Sequence, residues 1–242
     1  MQRLDIFLVE NEFVKSRKIA QELIKNGGVR VDDKDITKCS FLVDQNNKIE
    51  ITQKVCPYVS RAGYKLEGAA KSFDVSFLGK VVLDIGSSTG GFTDYAIKNG
   101  AQKVYSVDVG TNQLDQSLRD NPSVVVMENT DIRNLNKQSV LDVNMVVCDV
   151  SFISLTLISY KISELLNCGD LAVVLIKPQF ECGKNLAKKH KGIIKDEKIH
   201  KLVINQVVEN FKQNRLELIN LEQSCITGTD GNIEFVALFK KS

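Results

Sequence analysis

Val81-Val82-Leu83-Asp84-Ile85-Gly86-Ser87-Ser88-Thr89-Gly90-Gly91-Phe92 reads as a strand that runs into a turn of small residues and then opens a helix. Val81 to Leu83 are β-formers with no polar interruption, as expected of a parallel strand covered on both faces. Gly86, Gly90 and Gly91 let the backbone turn sharply and come close to a ligand. Asp108 closes the next apolar run, Val104-Tyr105-Ser106-Val107, at the distance where an acid takes the ribose hydroxyls of a bound nucleoside. The segment therefore predicts a nucleotide-like ligand at the strand end. The dinucleotide fingerprint G-x-G-x-x-G is not met, because Ser88 stands where its second glycine belongs. A nicotinamide-dependent enzyme is correspondingly disfavoured.

Outward from this stretch, strands and helices alternate. Strands are predicted at 81–85, 103–107, 123–127, 144–148, 171–176, 216–222 and 233–239, and helices at 62–73, 91–99, 111–118, 154–167 and 195–213. Such alternation implies βαβ units, hence an α/β domain with a mostly parallel seven-stranded sheet and helices on both faces. Thr227-Gly228-Thr229-Asp230-Gly231-Asn232 reads as a hairpin loop joining the last two strands.

The first 60 residues differ in texture. Leu4, Phe7 and Leu8 form one helical stripe. Ser16 is placed to cap a second helix whose inner face is Ile19, Ala20, Leu23 and Ile24, and Gly27-Gly28 stop it. Val29-Arg30-Val31, Phe41-Leu42-Val43 and Ile49-Glu50-Ile51 read as short strands, and Asp32-Asp33-Lys34-Asp35 as a turn. These make a small α+β module. Pro57, Gly63 and polar neighbours place a linker near residues 55–61, which gives two domains, 1–58 and 62–242.

A net charge of +2 over 242 residues sets up no bulk field for a polyanionic partner, so any nucleic-acid surface must come from local clustering. Arg3, Lys15, Arg17, Lys18, Lys25 and Arg30 cluster around the second helix and its exit. No apolar run approaches the ~20 residues of a membrane helix, and the N-terminus lacks a signal peptide's apolar core. The six cysteines show neither a C-x-x-C pair nor zinc spacing, so no metal is expected. Cys148 and Cys225 read as small core residues. Reduced cytoplasm is the compartment that this cysteine usage fits.

In a doubly wound sheet, ligands sit beyond the carboxyl ends of the strands. Asp84, Gly86, Asp108, Glu128, Asp131, Asp149 and Lys177 all fall at such ends. Asp131 is placed either to accept from an adenine amino group or to cap a helix, and Asp149 reads as a site acid or a cap. Lys177 enters the crevice. Lysine is a poor base at its reference pKa of ~10.4, which desolvation or a second cation lowers. Lys65, on a helix just before the first strand, is available as that cation. Glu234, amid Ile233, Phe235 and Val236, is either on a solvent face or held by a cation. The basic loop Gly183 to Gly192, with Lys184, Lys188, Lys189 and Lys191, is a plausible phosphate clamp. Phe152 and Phe180 could stack on a base, although core packing is the reading for Phe152. His190 and His200 read as surface residues.

Three patterns resemble known families. Asp84-x-Gly86-x-x-x-Gly90-Gly91 resembles the S-adenosylmethionine loop of Rossmann-like methyltransferases, a fold that typically ends in an antiparallel hairpin. On that resemblance the cofactor contacts are Asp84, Gly86, Ser87, Ser88, Thr89, Gly90, Gly91, Phe92, Asp108, Asp131 and Asp149. Arg3-Leu4-Asp5 … Ser16-Arg17-Lys18-Ile19-Ala20 … Leu23-Ile24-Lys25-x-Gly27-x-Val29-x-Val31 resembles the RNA-binding domain named after small-subunit ribosomal protein four. This implies that Arg3, Arg17, Lys18, Lys25 and Arg30 meet RNA phosphates. Lys65, Asp149, Lys177 and Glu234 match, in order and context, the Lys-Asp-Lys-Glu set of FtsJ-type ribose 2′-O-methyltransferases.

The words Val59-Ser60-Arg61-Ala62-Gly63-Tyr64-Lys65-Leu66, Cys148-Asp149-Val150-Ser151-Phe152-Ile153-Ser154 and Leu175-Ile176-Lys177-Pro178-Gln179-Phe180-Glu181 resemble the TlyA family, often called hemolysin A. The resemblance implies S-adenosylmethionine-dependent 2′-O-methylation of a cytidine ribose in ribosomal RNA, on the large subunit for a chain this compact. It also implies roles. Lys177 takes the hydroxyl proton or steadies the forming alkoxide, and Asp149 orients Lys177. Lys65 positions the ribose, and Glu234 fixes Lys65 or the hydroxyl. A membrane-active hemolysin has no support in the sequence. A non-catalytic RNA-binding assembly factor is opposed by the intact glycines and the complete four-residue set.

Overall fold

The structure, a computed structural model, describes every residue except 15, 54, 55 and 229, together with all side chains of the described residues but that of residue 18. Lys15 and the side chain of Lys18, both in the basic cluster, therefore lie outside the described residues. The chain divides into two compact units, Met1–Ser60 and Arg61–Ser242.

In the first unit, β1 (Gln2–Arg3) leads into α1 (Leu4–Glu10) and α2 (Arg17–Lys25). The strands β2 (Val29–Val31), β3 (Lys34–Asp35), β4 (Leu42–Val43) and β5 (Ile49–Ile51) follow. β2 pairs antiparallel with β3 and β5, and β1 with β4. Ser16 caps α2 by accepting from the Ile19 N–H at 3.4 Å. Leu4, Phe7, Leu8, Ala20, Leu23, Ile24, Val29 and Val31 are buried together, so both helical stripes face one core. Only the first half of the expected 32–35 turn is a turn. Asp32 and Asp33 take φ of 47° and 64° and let Lys34 fold back beside Val31.

The second unit holds α3 (Ala62–Ser72), β6 (Val81–Ile85), α4 (Gly91–Lys98), β7 (Lys103–Val107), α5 (Gln116–Arg119), β8 (Val124–Met127) and β9 (Met145–Cys148). After these come α6 (Ser159–Leu165), β10 (Leu171–Ile176), α7 (Pro178–Glu181), α8 (Lys184–Lys189), α9 (Glu197–Gln213), β11 (Leu216–Gln223) and β12 (Phe235–Lys241). The sheet runs β11-β12-β10-β9-β6-β7-β8. β6 to β10 are mutually parallel, and β12 is antiparallel to both its neighbours. Leu83, Val146, Val174 and Phe239 are buried on the sheet under Val203, Val207 and Phe211 of α9. The strand order reverses between β6 and β9, so a crevice is expected there at the carboxyl ends.

Several local expectations are corrected. The helix expected at 111–118 is reduced to α5, because Asp115 caps at Ser117 N–H and the residues before it are bonded elsewhere. The 154–167 helix is broken into a 3-10 turn, Leu155–Leu157, and α6. The basic loop contains α8. Glu234 lies one residue before β12 rather than inside it. His200 is buried, its Nε2 2.9 Å from the Ile194 carbonyl and its ring against Phe235. Cys225 is exposed beyond the end of the edge strand β11. Phe152 is 92% exposed and belongs to no core.

Candidate active site

The turn after β6 comes first. Gly86 takes φ 81°, and a Cβ there would lie 2.9 Å from the Asp149 carbonyl oxygen. Only glycine permits this approach of the β6 and β9 exits. Asp108 is anchored by the Ser88 N–H at 2.8 Å and the Gly110 N–H at 2.7 Å, one on each carboxylate oxygen. Each oxygen keeps acceptor capacity. A cavity of about 1040 Å³ opens here, lined among others by Gly86, Ser88, Asp108, Asp131, Asp149 and Phe152.

Asp84 lies below the cavity, fully buried. Thr93 Oγ1 donates to its Oδ2 at 2.6 Å, while Oδ1 has no hydrogen-bond partner. Burial pushes its carboxyl up to about 7. Ser87, Gly90, Gly91 and Phe92 are buried at the turn, Thr89 is half-buried and Ser88 is exposed. Asp131 both lines the cavity and caps a 3-10 turn through the Arg133 N–H at 2.9 Å, with the Arg133 guanidinium on its carboxylate. The glycine approach, the volume and the two-oxygen acid at β7 fit a nucleoside ligand.

Beside the cavity four charged side chains converge. Lys65 on α3 donates to Glu234 Oε2 at 2.6 Å across 169 residues of sequence, and its Nζ is 3.9 Å from Asp149 Oδ2. Lys177, just past β10, places Nζ 2.5 Å from Asp149 Oδ1 and donates to Ser151 Oγ at 3.0 Å. Asp149 thus bridges two lysines, and Glu234 is held by a cation. Gln179 Nε2 reaches Glu234 Oε1 at 3.4 Å. A Cβ on Gly228 would lie 2.6 Å from that oxygen, so a side chain at Gly228 would push against the Glu234 carboxylate. Lys65, Lys177 and Glu234 are at most 9% exposed. Burying so many charges is costly for stability, so such clusters are more often sites than supports.

Ser151, Gln179 and Glu181 are polar residues here that sequence reasoning passed over, although each stands within a quoted word. Glu181 is buried, with its carboxyl raised by that burial, and it accepts from the Ser154 hydroxyl and the Leu155 N–H. Of the basic residues, Lys184 lines the cavity, and Lys188, Lys189 and Lys191 are exposed. In the first unit, Arg3 and Arg17 each place Nε 2.9 Å from the buried Asp5 while staying about half exposed. Lys25 is exposed, and Arg30 pairs with Asp35 at 3.1 Å. Among the described residues, no three His, Cys, Asp or Glu stand together as a metal site. No described helix is long and apolar enough to cross a membrane.

A seven-stranded sheet with one antiparallel strand, a glycine turn after its central strand and an acid ending the next defines a Rossmann-like methyltransferase fold. The chain belongs to the FtsJ-like methyltransferase family, whose model matches residues 58–241, and residues 2–49 match the S4 domain. It is 40% identical to hemolysin A of Brachyspira hyodysenteriae over 98% of this chain and 99% of that one. It is 33% identical to the 23S rRNA (cytidine-2′-O)-methyltransferase TlyA of Campylobacter jejuni, over 98% of each. A solved structure from Streptococcus thermophilus, of a protein provisionally named a hemolysin, superposes with a TM-score of 0.80 at 34% identity. It covers all of this chain and 88% of that one.

Proposed function

We propose that this chain methylates the 2′-hydroxyl of a cytidine in ribosomal RNA, of the large subunit, using S-adenosylmethionine, in the cytoplasm. Residues 1–58 would supply RNA binding and 62–242 the chemistry. The observation that carries this reading is the convergence of Lys65, Asp149, Lys177 and Glu234 beside a cavity large enough to admit a nucleoside. The 33% identity to the C. jejuni 23S rRNA enzyme, over 98% of each chain, supports the large-subunit assignment.

When bound, S-adenosylmethionine supplies an electrophilic methyl group on a sulfonium. Gly86, Ser88 and Asp108 would hold its nucleoside, with Asp108 on the ribose hydroxyls. A 2′-hydroxyl attacks poorly until its proton has somewhere to go. Lys177 faces that proton, taking it or steadying the oxygen as charge grows, and Asp149 and Ser151 fix the direction of its Nζ. Lys65, held by Glu234, places the ribose and adds positive field. Most of the acceleration would come from alignment of the reacting atoms. Phe152, exposed at the cavity rim and 5.0 Å from Phe180 ring to ring, offers a face for the target base.

The test is methyl transfer from labelled S-adenosylmethionine to ribosomal RNA by the purified chain. Label in a cytidine 2′-O-methyl group supports the reading. Label in a base, or none on RNA or ribosomal subunits, contradicts it.

A further inference from the structure

The loop 149–155 is tied at both ends. Asp149 N–H donates to the Ile85 carbonyl at 3.0 Å. At the other end Glu181, in α7, accepts from Leu155 N–H at 2.8 Å and from Ser154 Oγ at 2.5 Å. Between the ties Phe152 takes φ 66°, a left-handed conformation that a bulky residue keeps only when its surroundings impose it. In that conformation its ring stands out in solvent, and the neighbouring Ser151 Oγ meets Lys177 Nζ.

Glu181 is buried, and no ion pair to it is found among the described residues. A buried carboxylate without a cation is an expensive way to hold a core together. It is well suited, however, to two donors that need two acceptors where water cannot substitute. Lys177 and Glu181 leave the same strand end four residues apart, so the tie also fixes the loop relative to Lys177.

We propose that Glu181 is a positioning residue. Its carboxylate clamps the 149–155 loop so that Ser151 directs the Lys177 ammonium and Phe152 is presented to the substrate base. What the loop serves rests on the methyl-transfer reading, whereas the clamp itself does not.

The chain has no tryptophan, so Phe152→Trp introduces a single fluorophore that reports loop motion. In that background, Glu181→Ala is expected to lower the anisotropy of the emission, and Glu181→Gln, which keeps an acceptor for Leu155, to restore most of it. With Phe152 in place, Glu181→Ala should slow single-turnover methyl transfer to ribosomal RNA about 100-fold. Affinity for S-adenosylhomocysteine by calorimetry should change less than about threefold, and Glu181→Gln should recover transfer to within about fivefold of wild type. Should Glu181→Ala fail to fold by circular dichroism, Ser154→Ala carries the test, with slower transfer and lower anisotropy expected. Unchanged anisotropy, wild-type transfer in the alanine variant, or a glutamine variant as slow as alanine would overturn the proposal. If the wild-type chain methylates no RNA, the functional reading fails, and the anisotropy still decides the clamp.

Discussion

Asp84 carries one bonded oxygen and one bare oxygen in a fully buried site, and its stability effect is set by pH. Burial, with Asp149 and Asp108 nearby, raises its carboxyl from 3.8 to about 7. The protonated form is therefore favoured in the folded chain. Its contribution is fully present below pH 3.8 and is lost as pH rises through about 7, at roughly 1.4 kcal/mol per unit of displacement. Asp84→Asn cannot ionise. Its melting temperature relative to wild type should be worst near pH 4 and should recover towards pH 8, and a constant difference would refute the assignment. Lys177→Ala should abolish methyl transfer while S-adenosylhomocysteine still binds in calorimetry. Phe152→Ala should weaken RNA affinity by about 1–3 kcal/mol, the value of one stacked base, with no loss of melting temperature, because the ring packs in no core. Residues of this kind were legible unevenly. Asp84 and Asp108 stand at strand ends that the apolar runs mark. No spacing rule joins Lys65 to Glu234 across 169 residues, and only the resemblance placed them in one set. Phe152 was misread because its exposure follows from a backbone angle that composition does not encode.

Among the elements, β6, β7 and β10 stand where their apolar runs put them, unbroken in β10 and interrupted by the buried Asp84 in β6 and the buried Ser106 in β7, as suits strands covered on both faces. The wall between β7 and α5 was not legible. Its residues have helix-like spacing, but Glu128 accepts from the N–H groups of Asn112 at 2.8 Å, Gln113 at 2.9 Å and Leu114 at 3.2 Å, and pairs with Arg119. A side chain just past the end of β8 thus takes the donors a helix would have used. Arg119 and these amides hold the Glu128 carboxyl down to about 2. Its contribution is present above pH 4.5 and fades as pH falls through about 2. Glu128→Ala should loosen the cavity wall at Val109 and Gln113. Affinity for S-adenosylhomocysteine is then expected to drop about tenfold, or 1.4 kcal/mol, while kcat at saturation is kept. Unchanged affinity would show that this wall does not touch the ligand.

At the scale of the molecule, a net charge of +2 hides a local basic surface on the first unit and another at α8. Arg3 and Arg17 are tied to the buried Asp5, whereas Lys25 is exposed and the partner of Arg30, Asp35, is itself exposed, so Lys25 and Arg30 are the probes that disturb the core least. Lys25→Glu with Arg30→Glu should weaken RNA binding and flatten its salt dependence, since each lost phosphate contact removes a released counterion. Cofactor affinity should stay unchanged. Equal salt slopes in variant and wild type would remove these residues from the RNA surface. The most direct test of the whole account is a map of ribose methylation on ribosomal RNA from cells with the chain, without it, and with only Lys177→Ala. One or more cytidine 2′-O-methyl groups should be present in the first and missing from both others. Identical maps with and without the chain, or full methylation by the Lys177→Ala variant, would contradict it.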